Sequence, residues 1–420
     1  QTSVFAQNTW MLKAGGSTID EAQGVSTDDS SNAYTTGYFT GTGFFGPFNL
    51  TALGVSDVFV TKTNKKGIFQ WAVKGGDGGS DRGLAIKTDS KGNSYVTGYY
   101  YSTATFGAKT VTSAGLQDVF IAKYDRNGNV KWLVTCGGPE SDLGNAITVD
   151  NTGDVVVTGQ FQGTAKFGAF TLISTANNVN VFTAKLDSSN GTFLWAKSGV
   201  GPHTDRGLGV SCDPTGNVYV TGQFSDSITF DNAHYTNLFD AIFVIKYSST
   251  GVEQWFTKAG GATFNIANGI AVDNSSNVYI TGSFTGTLTF FVSPPVTLTN
   301  PYPDRIFVAK YNSSGLLQWA TADGSSNPVV SNGISLDSVG NAYIVGNFDC
   351  IFNGYADRYG QGTFNSIGMW DIFVSEYSSG GTWQWSRQMA GHGNNYGNSI
   401  AMSSHGDIYT AGSFDQDMIV

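Results

Sequence analysis

The sequence predicts an all-β protein in which seven four-stranded antiparallel blades form one β-propeller domain over residues 1–420. Three observations predict this fold: a repeat of about 62 residues, four alternating segments in each repeat, and a strand-like composition. The chain has 55 Gly among 420 residues, 14% aromatic residues and only 13% charged residues. No segment keeps the i, i+3, i+4, i+7 apolar stripe of an amphipathic helix for three turns.

The repeat is clearest in its tryptophans, which mark one position in each of seven copies. The seven anchors lie 60 to 66 residues apart, at Trp10, Trp71, Trp132, Trp195, Trp255, Trp319 and Trp385. A second column holds glycine in every copy, at Gly37, Gly98, Gly159, Gly222, Gly282, Gly346 and Gly412, and an aromatic residue follows each of them by two positions. Columns that recur at a fixed period indicate one structural unit per repeat.

Each repeat divides into four strands. In the second repeat the alternating segments are 83–89, 93–101, 118–125 and 129–135, and the short turns SKGN and RNGN carry Gly or Asn. A single four-stranded sheet cannot bury both of its faces. Stacking the sheets around an axis buries them, and the Trp and Phe columns supply the bulk between neighbours.

The two chain ends are expected to share the seventh blade. Residues 3–13 match only the Trp strand, whereas 397–404 and 407–414 match the first two strands. The third strand is missing, so the last repeat is incomplete. Because unpaired strand edges are rare inside a closed ring, we expect the native polypeptide to continue beyond Val420, or another chain to donate the strand.

Four segments resemble a known repeat family: GNSYVTGYY, GNVYVTGQF, DVFIAKYDRNG and DRIFVAKYNSSG. They look like the SBBP-type β-propeller repeat, and the resemblance extends over nearly the whole chain. The family is named for seven-bladed propellers and is common in secreted and surface proteins of bacteria, often as one module of a larger polypeptide. The resemblance implies a fold and a compartment but no reaction.

Charge and cysteine content restrict the classes of partner. The net charge is −10, from 22 basic and 32 acidic residues, which argues against nucleic acid and anionic lipid as ligands. No stretch of about 18 apolar residues predicts a transmembrane helix. The three cysteines have unrelated spacings, and the chain begins with Gln1 without a leader. We therefore expect a mature exported protein, extracellular or on the cell surface; a trimmed chain is the alternative.

No catalytic signature is present. The sequence contains no HExxH, GxSxG, Walker or EF-hand motif, and its four histidines share no column. These observations favour a protein that is not an enzyme. A polysaccharide lyase or glycosidase remains the alternative, because a carboxylate pair formed by distant residues leaves no motif.

One polar column precedes the innermost strands and holds Asp20, Asp81, Asp142 and Asp205 in the first four repeats. These carboxylates are expected at one mouth of the central channel. They would either cap turns through backbone N–H groups or hold a calcium ion through oxygen ligands, the only cofactor that the sequence indicates. A second column is interpreted as structural turns; its members are Asp28, Asp89, Asp150, Asp213, Asp273 and Asp337.

The connection between the second and third strands is the longest in every blade, and it is predicted to lie on the same face as Asp81 and its equivalents. In repeats five and six, 290–304 and 349–371, it carries aromatic residues that are candidates for binding a glycan or a protein. These candidates are Phe291, Tyr302, Tyr355, Tyr359 and Trp370. Alternatively, their side chains fold back over the blade edges.

The sequence therefore favours a non-enzymatic binding or structural module that acts in adhesion, in a surface appendage or as a scaffold. Its partners would be proteins, glycans, or other domains and chains of a larger assembly. A lectin-like propeller is the alternative, although the variable loops do not repeat one set of binding residues.

Overall fold

The structure, a computed structural model, describes residues 10–231, 233–261, 263–299, 305–324, 328–349, 357–359, 362–364 and 367–415. Over these ranges the protein is all-β, as predicted, and its one helical element is a 3₁₀ turn at Thr175–Asn177. Within the described residues, no helix has the length and hydrophobicity needed to cross a bilayer.

The strands fall into successive units along the chain, and we number these units one to seven. Units one and two contain β1 (Asp20–Thr27), β2 (Ala33–Phe39), β3 (Thr42–Phe45), β4 (Phe48–Thr51), β5 (Asp57–Thr63), β6 (Phe69–Gly76), β7 (Arg82–Thr88), β8 (Ser94–Phe106), β9 (Lys109–Tyr124) and β10 (Val130–Cys136). Units three and four contain β11 (Leu143–Val149), β12 (Val155–Gln162), β13 (Thr164–Phe167), β14 (Phe170–Ile173), β15 (Val179–Leu186), β16 (Phe193–Val200), β17 (Arg206–Cys212), β18 (Val218–Phe230), β19 (Ala233–Tyr247) and β20 (Glu253–Gly260).

The later units follow the same plan. Units five to seven contain β21 (Asn265–Val272), β22 (Val278–Phe284), β23 (Thr287–Phe290), β24 (Val296–Thr299), β25 (Arg305–Tyr311), β26 (Leu317–Asp323), β27 (Val329–Leu336), β28 (Ala342–Asp349), β29 (Asp357–Tyr359), β30 (Gly362–Phe364), β31 (Trp370–Tyr377), β32 (Trp383–Met389), β33 (Asn395–Met402) and β34 (Ile408–Phe414).

Units one to six each form a four-stranded antiparallel sheet in chain order, β1-β2-β5-β6 in unit one and β7-β8-β9-β10 in unit two. Four strands per repeat is therefore confirmed for six repeats. The middle strands of unit two are longer than the sequence predicts. An outer hairpin, with Phe106 opposite Lys109, continues both of them beyond the body of the sheet.

Unit seven differs from the others. Among the described residues, β34 pairs only with β33, whereas each other second strand pairs with a strand on both sides. In the described part of the N-terminal segment, residues 10–14 have no β assignment; residues 1–9 lie outside the described residues. Gly15 nevertheless forms a bridge to Phe44, and the equivalent Gly137 forms one to Lys166. The segment after Trp10 therefore meets the outer hairpin of the next unit as a fourth strand does.

The hydrophobic core lies between units rather than at one centre. One cluster joins Val60 and Trp71 of unit one to Val96 and Tyr124 of unit two. Equivalent clusters fill the junctions between the later units, and one joins Val25 of unit one to Tyr409 of unit seven. Each sheet buries both faces only because it is packed between two others.

The Trp anchors span these junctions. The Trp71 indole Nε1 donates a hydrogen bond to the carbonyl oxygen of Arg126 in the next unit, 3.0 Å away. Its ring lies against Gly128, where an added Cβ would be 3.0 Å from the indole and φ is +84°. Five other anchors donate the same bond: Trp10, Trp132, Trp195, Trp255 and Trp319. Trp71, Trp132 and Trp195 are buried, and the other four anchors are half-buried.

The first strands make a second lateral connection. The Asn145 side chain donates to the carbonyl of Gly207 on the next first strand, 3.0 Å away. Asn268 and Asn332 repeat this bond at later junctions, and Asn398 of β33 donates to the carbonyl of Ala22 in β1. Successive first strands contact one another from β1 to β33, and β33 also contacts β1.

Trp71→Ala is predicted to lower the free energy of unfolding by about 3–5 kcal/mol, the usual range for emptying a large aromatic site. Trp71→Phe should lower the free energy of unfolding by less, because phenylalanine still fills most of the site although it cannot form the bond to Arg126. Urea titrations measure both changes. Ile68→Ala, at an exposed position of the same hairpin, is the control and should change the free energy by less than about 0.5 kcal/mol. Equal midpoints for Trp71→Ala and wild type would contradict the structural role of this anchor.

Candidate functional site

The connections before the first and third strands meet on one face, which we call the loop face. The backbone N–H of Asp81 donates to the carbonyl of Ser56, and that of Asp142 donates to the carbonyl of Gln117, both over 2.8 Å. Ser56 and Gln117 stand at the ends of the connections to the third strands. The prediction that the long connections share a face with the first Asp column is therefore confirmed for these units.

Exposed apolar residues stand in these connections, where the chain returns from the outer hairpin to the body of the sheet. Units one, two and six share a pattern of residue–Gly–apolar–residue–Asp, in LGVSD (53–57), AGLQD (114–118) and IGMWD (367–371). The central glycine packs against the next connection, and an added Cβ at Gly115 would lie 2.1 Å from the carbonyl oxygen of Pro139. The backbone at the glycine lies against the neighbouring connection, and the side chains on either side of the glycine project into solvent. The exposed large apolar residues of these three segments and of the equivalent segment in unit four are Leu53, Val55, Leu116, Leu238, Phe239, Ile367 and Met369.

The sequence carried a signal for this surface that motif reasoning overlooked. Three copies of the Gly–apolar–residue–Asp pattern precede the third strand at one position of the repeat. Ile19 and Phe264, which precede first strands on the same face, are also exposed. The turns of the opposite face also expose apolar residues, Ile68, Val252, Leu316 and Val339, but the loop face exposes more of them. Exposed apolar side chains in such numbers indicate a contact surface.

The first Asp column lies in buried turns at the edge of this face. Asp81 and Asp142 are fully buried, and each accepts two backbone N–H bonds: from Asp77 and Tyr101 to Asp81, and from Gly138 and Gln162 to Asp142. Asp205 is also buried and accepts a bond from the Ser225 N–H, while half-buried Asp20 accepts from Gly16 and Thr40. These are the bonds that the turn-capping interpretation predicts.

A second acid, which begins the third strand, approaches two of these aspartates. At Gly137 an added Cβ would lie 2.6 Å from an oxygen of Asp118 and 2.8 Å from an oxygen of Asp142. Asp57 and Asp81 surround Gly76 in the same way. At the next junction Asn180 takes the place of the third-strand acid, and its side-chain amide donates to Asp205 over 3.2 Å. The column therefore forms separate pairs at unit junctions.

Burial changes the acidity of these groups. It raises the pKa of Asp81 to about 6, that of Asp142 to about 7 and that of Asp205 to about 8, although the N–H donors oppose the change. The charge of Asp118 adds to the rise in the pKa of Asp142, as the charge of Asp57 does for Asp81. A nearby negative charge disfavours ionisation of a second carboxyl, and in the first pair the Lys74 ammonium, 2.6 Å from Asp57, offsets part of that charge.

Among the described residues, no three His, Cys, Asp or Glu side chains are grouped so that they could hold a metal ion. The acidic neighbour of Asp142 is Asp118, and that of Asp81 is Asp57, rather than another member of the first column. The calcium hypothesis for Asp20, Asp81, Asp142 and Asp205 stays a prediction.

The second Asp column caps the turns on the opposite face. Asp213 accepts backbone bonds from Thr215 and Asn217 and a bond from the Tyr219 hydroxyl. Burial alone would raise the pKa of this carboxyl, but bonds from Asn217, Thr215 and Tyr219 outweigh it and lower the pKa to about 2. The same turn recurs at Asp28, Asp89, Asp150, Asp273 and Asp337, so the structural interpretation of this column is confirmed.

The aromatic candidates do not form one described site. Phe291 is 51% exposed, and the Lys258 ammonium lies 5.0 Å from its ring centroid. Trp370 is half-buried, and its ring centroid is 6.4 Å from that of Tyr396 in unit seven. Tyr302 and Tyr355 lie outside the described residues, and Tyr359 lies in β29 without a described side chain. The binding role of all five residues stays a prediction.

Comparison with known proteins supports the propeller assignment. The family model described as "Beta-propeller repeat" (SBBP) matches residues 254–286, which contain β21 and β22 and begin within β20. An uncharacterized WD repeat-containing protein of Acanthamoeba polyphaga mimivirus is 24% identical over 82% of this chain. The match covers 31% of that viral protein, so this chain spans about a third of the relative's length.

The solved structures that match the chain have low sequence identity to it and TM-scores below 0.5. Sqt1 from Chaetomium thermophilum is 9% identical, with a TM-score of 0.45 and coverage of 95% of both chains. A quinohemoprotein alcohol dehydrogenase from Comamonas testosteroni is 10% identical, with a TM-score of 0.40 and coverage of 93% of this chain and 72% of that one.

Replacing Asp142 by Asn is predicted to weaken the pH dependence of stability. The unfolded carboxyl ionises near pH 4, whereas burial keeps the folded one protonated until about pH 7. The stabilisation from Asp142 is therefore complete below about pH 4 and is lost as the pH rises towards 7. Each pKa difference of one unit between the folded and unfolded chain corresponds to about 1.4 kcal/mol.

Urea titrations of wild type and Asp142→Asn across this interval provide the measurement. Asp125→Asn is the matched control, because hydrogen bonds lower the pKa of Asp125 despite its partial burial. That carboxyl contributes stability above the unfolded pKa, which is lost as the pH falls. A variant of Asp142 with the same slope as wild type would show that its carboxyl is ionised in the folded protein.

Proposed function

We propose, from the β-propeller repeat and the apolar loop face together, that this chain is a protein-binding module that recognises its partner through the loop face. The observation that carries the proposal is the exposure of apolar side chains on the loop face, in the connections of units one, two, four and six. The glycine between the flanking residues fixes the backbone of the tip, so little conformational entropy is lost on binding.

The finer role that we propose is adhesion, surface-appendage architecture or scaffolding in an exported protein. The resemblance to the SBBP-type repeat supports the extracellular placement, since that family is common in secreted and surface proteins. The mimivirus relative is much longer than this chain, which fits a module that works beside other domains.

We also propose that the module is not an enzyme. A hydrolase would need an acid–base pair open to substrate. The pairs at Asp57 with Asp81 and Asp118 with Asp142 are instead buried, and Asp81 and Asp142 hold backbone N–H groups of their own turns. These carboxyls serve the connections that carry the apolar tips.

We infer a closed ring of seven blades, with the seventh formed by both chain ends. The Trp10 ring centroid lies 5.9 Å from that of Tyr409 in β34, the relation that Trp71 has to Tyr34 within unit one. The Lys13 ammonium lies 5.7 Å from the ring centroid of Phe414. Together with the bond from Asn398 to Ala22, these contacts support a junction between unit seven and unit one.

Asn398→Ala is predicted to lower the free energy of unfolding by at least about 1 kcal/mol, because it leaves the Ala22 carbonyl and the Glu21 carboxylate without this donor. Asn332→Ala, which removes the same bond between units six and seven, is the matched control. Similar losses in urea titrations are expected from the two variants. A loss from Asn332→Ala with none from Asn398→Ala would contradict the closed ring.

The binding surface is tested by photo-crosslinking from each face. A photoreactive residue replaces Leu116 on the loop face or Leu316 in a third-to-fourth-strand turn on the opposite face; their exposures are 57% and 60%. The probe at Leu116 should label a protein partner in extracts and medium of the source organism, and the probe at Leu316 should not. Unlabelled wild type should compete, whereas a Leu53→Ser, Leu116→Ser, Leu238→Ser, Met369→Ser variant should not.

Labelling of a second copy of the chain from Leu116 would support the scaffold form of the proposal. Equal labelling from both probes, or equal competition by wild type and the quadruple variant, would overturn the proposal that the loop face binds the partner. If the probe at Leu116 labels a glycan instead of a protein, and the quadruple variant does not compete for that glycan, the surface belongs to the lectin alternative.

A further inference from the structure

A cavity of about 470 Å³ lies where the seven first strands meet, and residues of β1, β7, β11, β17, β21, β27 and β33 line it. Its lining consists mainly of small, apolar or hydroxyl side chains. Lys87 is the one charged residue among the described lining residues.

Lys87 departs from the repeat at this position. It stands opposite Tyr95 in the hairpin of unit two, and the backbone register identifies its equivalents in the other six units. They are Ser26, Thr148, Ser211, Ala271, Ser335 and Ala401. Six units thus place a small side chain where unit two places a long cation, so the repeat itself does not require the lysine.

No acidic side chain in the described part of the chain forms an ion pair with Lys87. The residue is solvent-exposed because the cavity is open, and the surrounding walls of the cavity lower the pKa of its ammonium. The group that interacts with it is the Cys212 thiol on β17. Because β11 lies between β7 and β17, Lys87 and Cys212 stand two first strands apart around the cavity.

The thiol does not act as a counter-ion. Burial raises the pKa of Cys212, so the thiol is neutral at neutral pH. Hydroxyl groups of other first strands also line the cavity. Ser26 Oγ accepts the backbone N–H of Thr88 and Ser335 Oγ accepts that of Met402, both over 3.1 Å, which leaves the hydroxyl protons able to donate.

We propose that this cavity is a binding site for a small oxyanion, such as a carboxylate or inorganic phosphate, held by the Lys87 ammonium and by hydroxyl donors of the first strands. Lys87 is the one charge that the described lining brings to this concave site, and no carboxylate there competes for it, so an entering anion can form a charge-assisted hydrogen bond with the ammonium. The site is distinct from the loop face and does not depend on the proposed partner.

Titration calorimetry with inorganic phosphate, and separately with acetate, tests the site on the full chain. Lys87→Ser is the main variant, because serine stands at this position in three other units and is compatible with the fold. Lys87→Arg retains the charge, and Lys66→Ser removes an exposed lysine from a surface turn. Circular dichroism confirms that each variant is folded.

Wild type and Lys66→Ser should bind phosphate or acetate saturably at one site, with a rise in the thermal midpoint of unfolding. Lys87→Ser should bind at least tenfold more weakly, and Lys87→Arg should retain binding. The absence of saturable binding of both probes to wild type, or equal affinity in Lys87→Ser, would overturn the proposal.

Discussion

The packing of each sheet against the next is the constraint on which the rest of the structure depends. A four-stranded sheet has two apolar faces, and the Trp anchor joins one of them to its neighbour. The Trp71 indole fills the junction, rests on Gly128 and donates its N–H to the Arg126 carbonyl. This one side chain therefore supplies apolar area, shape and a directed bond. Because its partner is a backbone carbonyl, neighbouring repeats can vary in sequence without losing the contact.

A regular interior leaves the loop face free to vary. The strands must satisfy both the hydrogen-bonded ladder within a sheet and the packing between sheets, so their residues recur. Parts of the connections before the third strands take part neither in the hydrogen-bonded ladder nor in the packing between sheets. They need only a fixed point, which Gly54 and Gly115 supply by close approach to the next connection. Side chains beside such a point can project as apolar tips without disturbing the core.

The acidic residues follow the same division. With a net charge of −10, the chain places many carboxylates in turns, where backbone N–H groups stabilise the ionised form. Asp213 represents this arrangement, and its pKa is low. Asp142 is held by N–H donors too, but full burial beside Asp118 raises its pKa. Residues of one type in neighbouring columns thus have opposite acid–base behaviour, because hydrogen bonds from Asn217, Thr215 and Tyr219 outweigh the burial of Asp213, whereas burial beside a second carboxyl outweighs the N–H donors of Asp142.

The sequence by itself determined what repeats within a unit: the position of Trp71 and its equivalents, the four strands, and the turn at Asp213 and its equivalents. These features depend on the alternation of apolar and polar residues, on turn chemistry and on hydrogen bonds between residues close in the chain. The same sequence signals therefore recur in each repeat. Only the tertiary structure decided which residues meet across units. It placed Asp118 beside Asp142, Lys87 in the wall of a cavity, and Leu116 at an exposed position of the loop face. Such contacts join residues that lie on different strands or units, and they depend on how the sheets stack, which no pattern within a single repeat records.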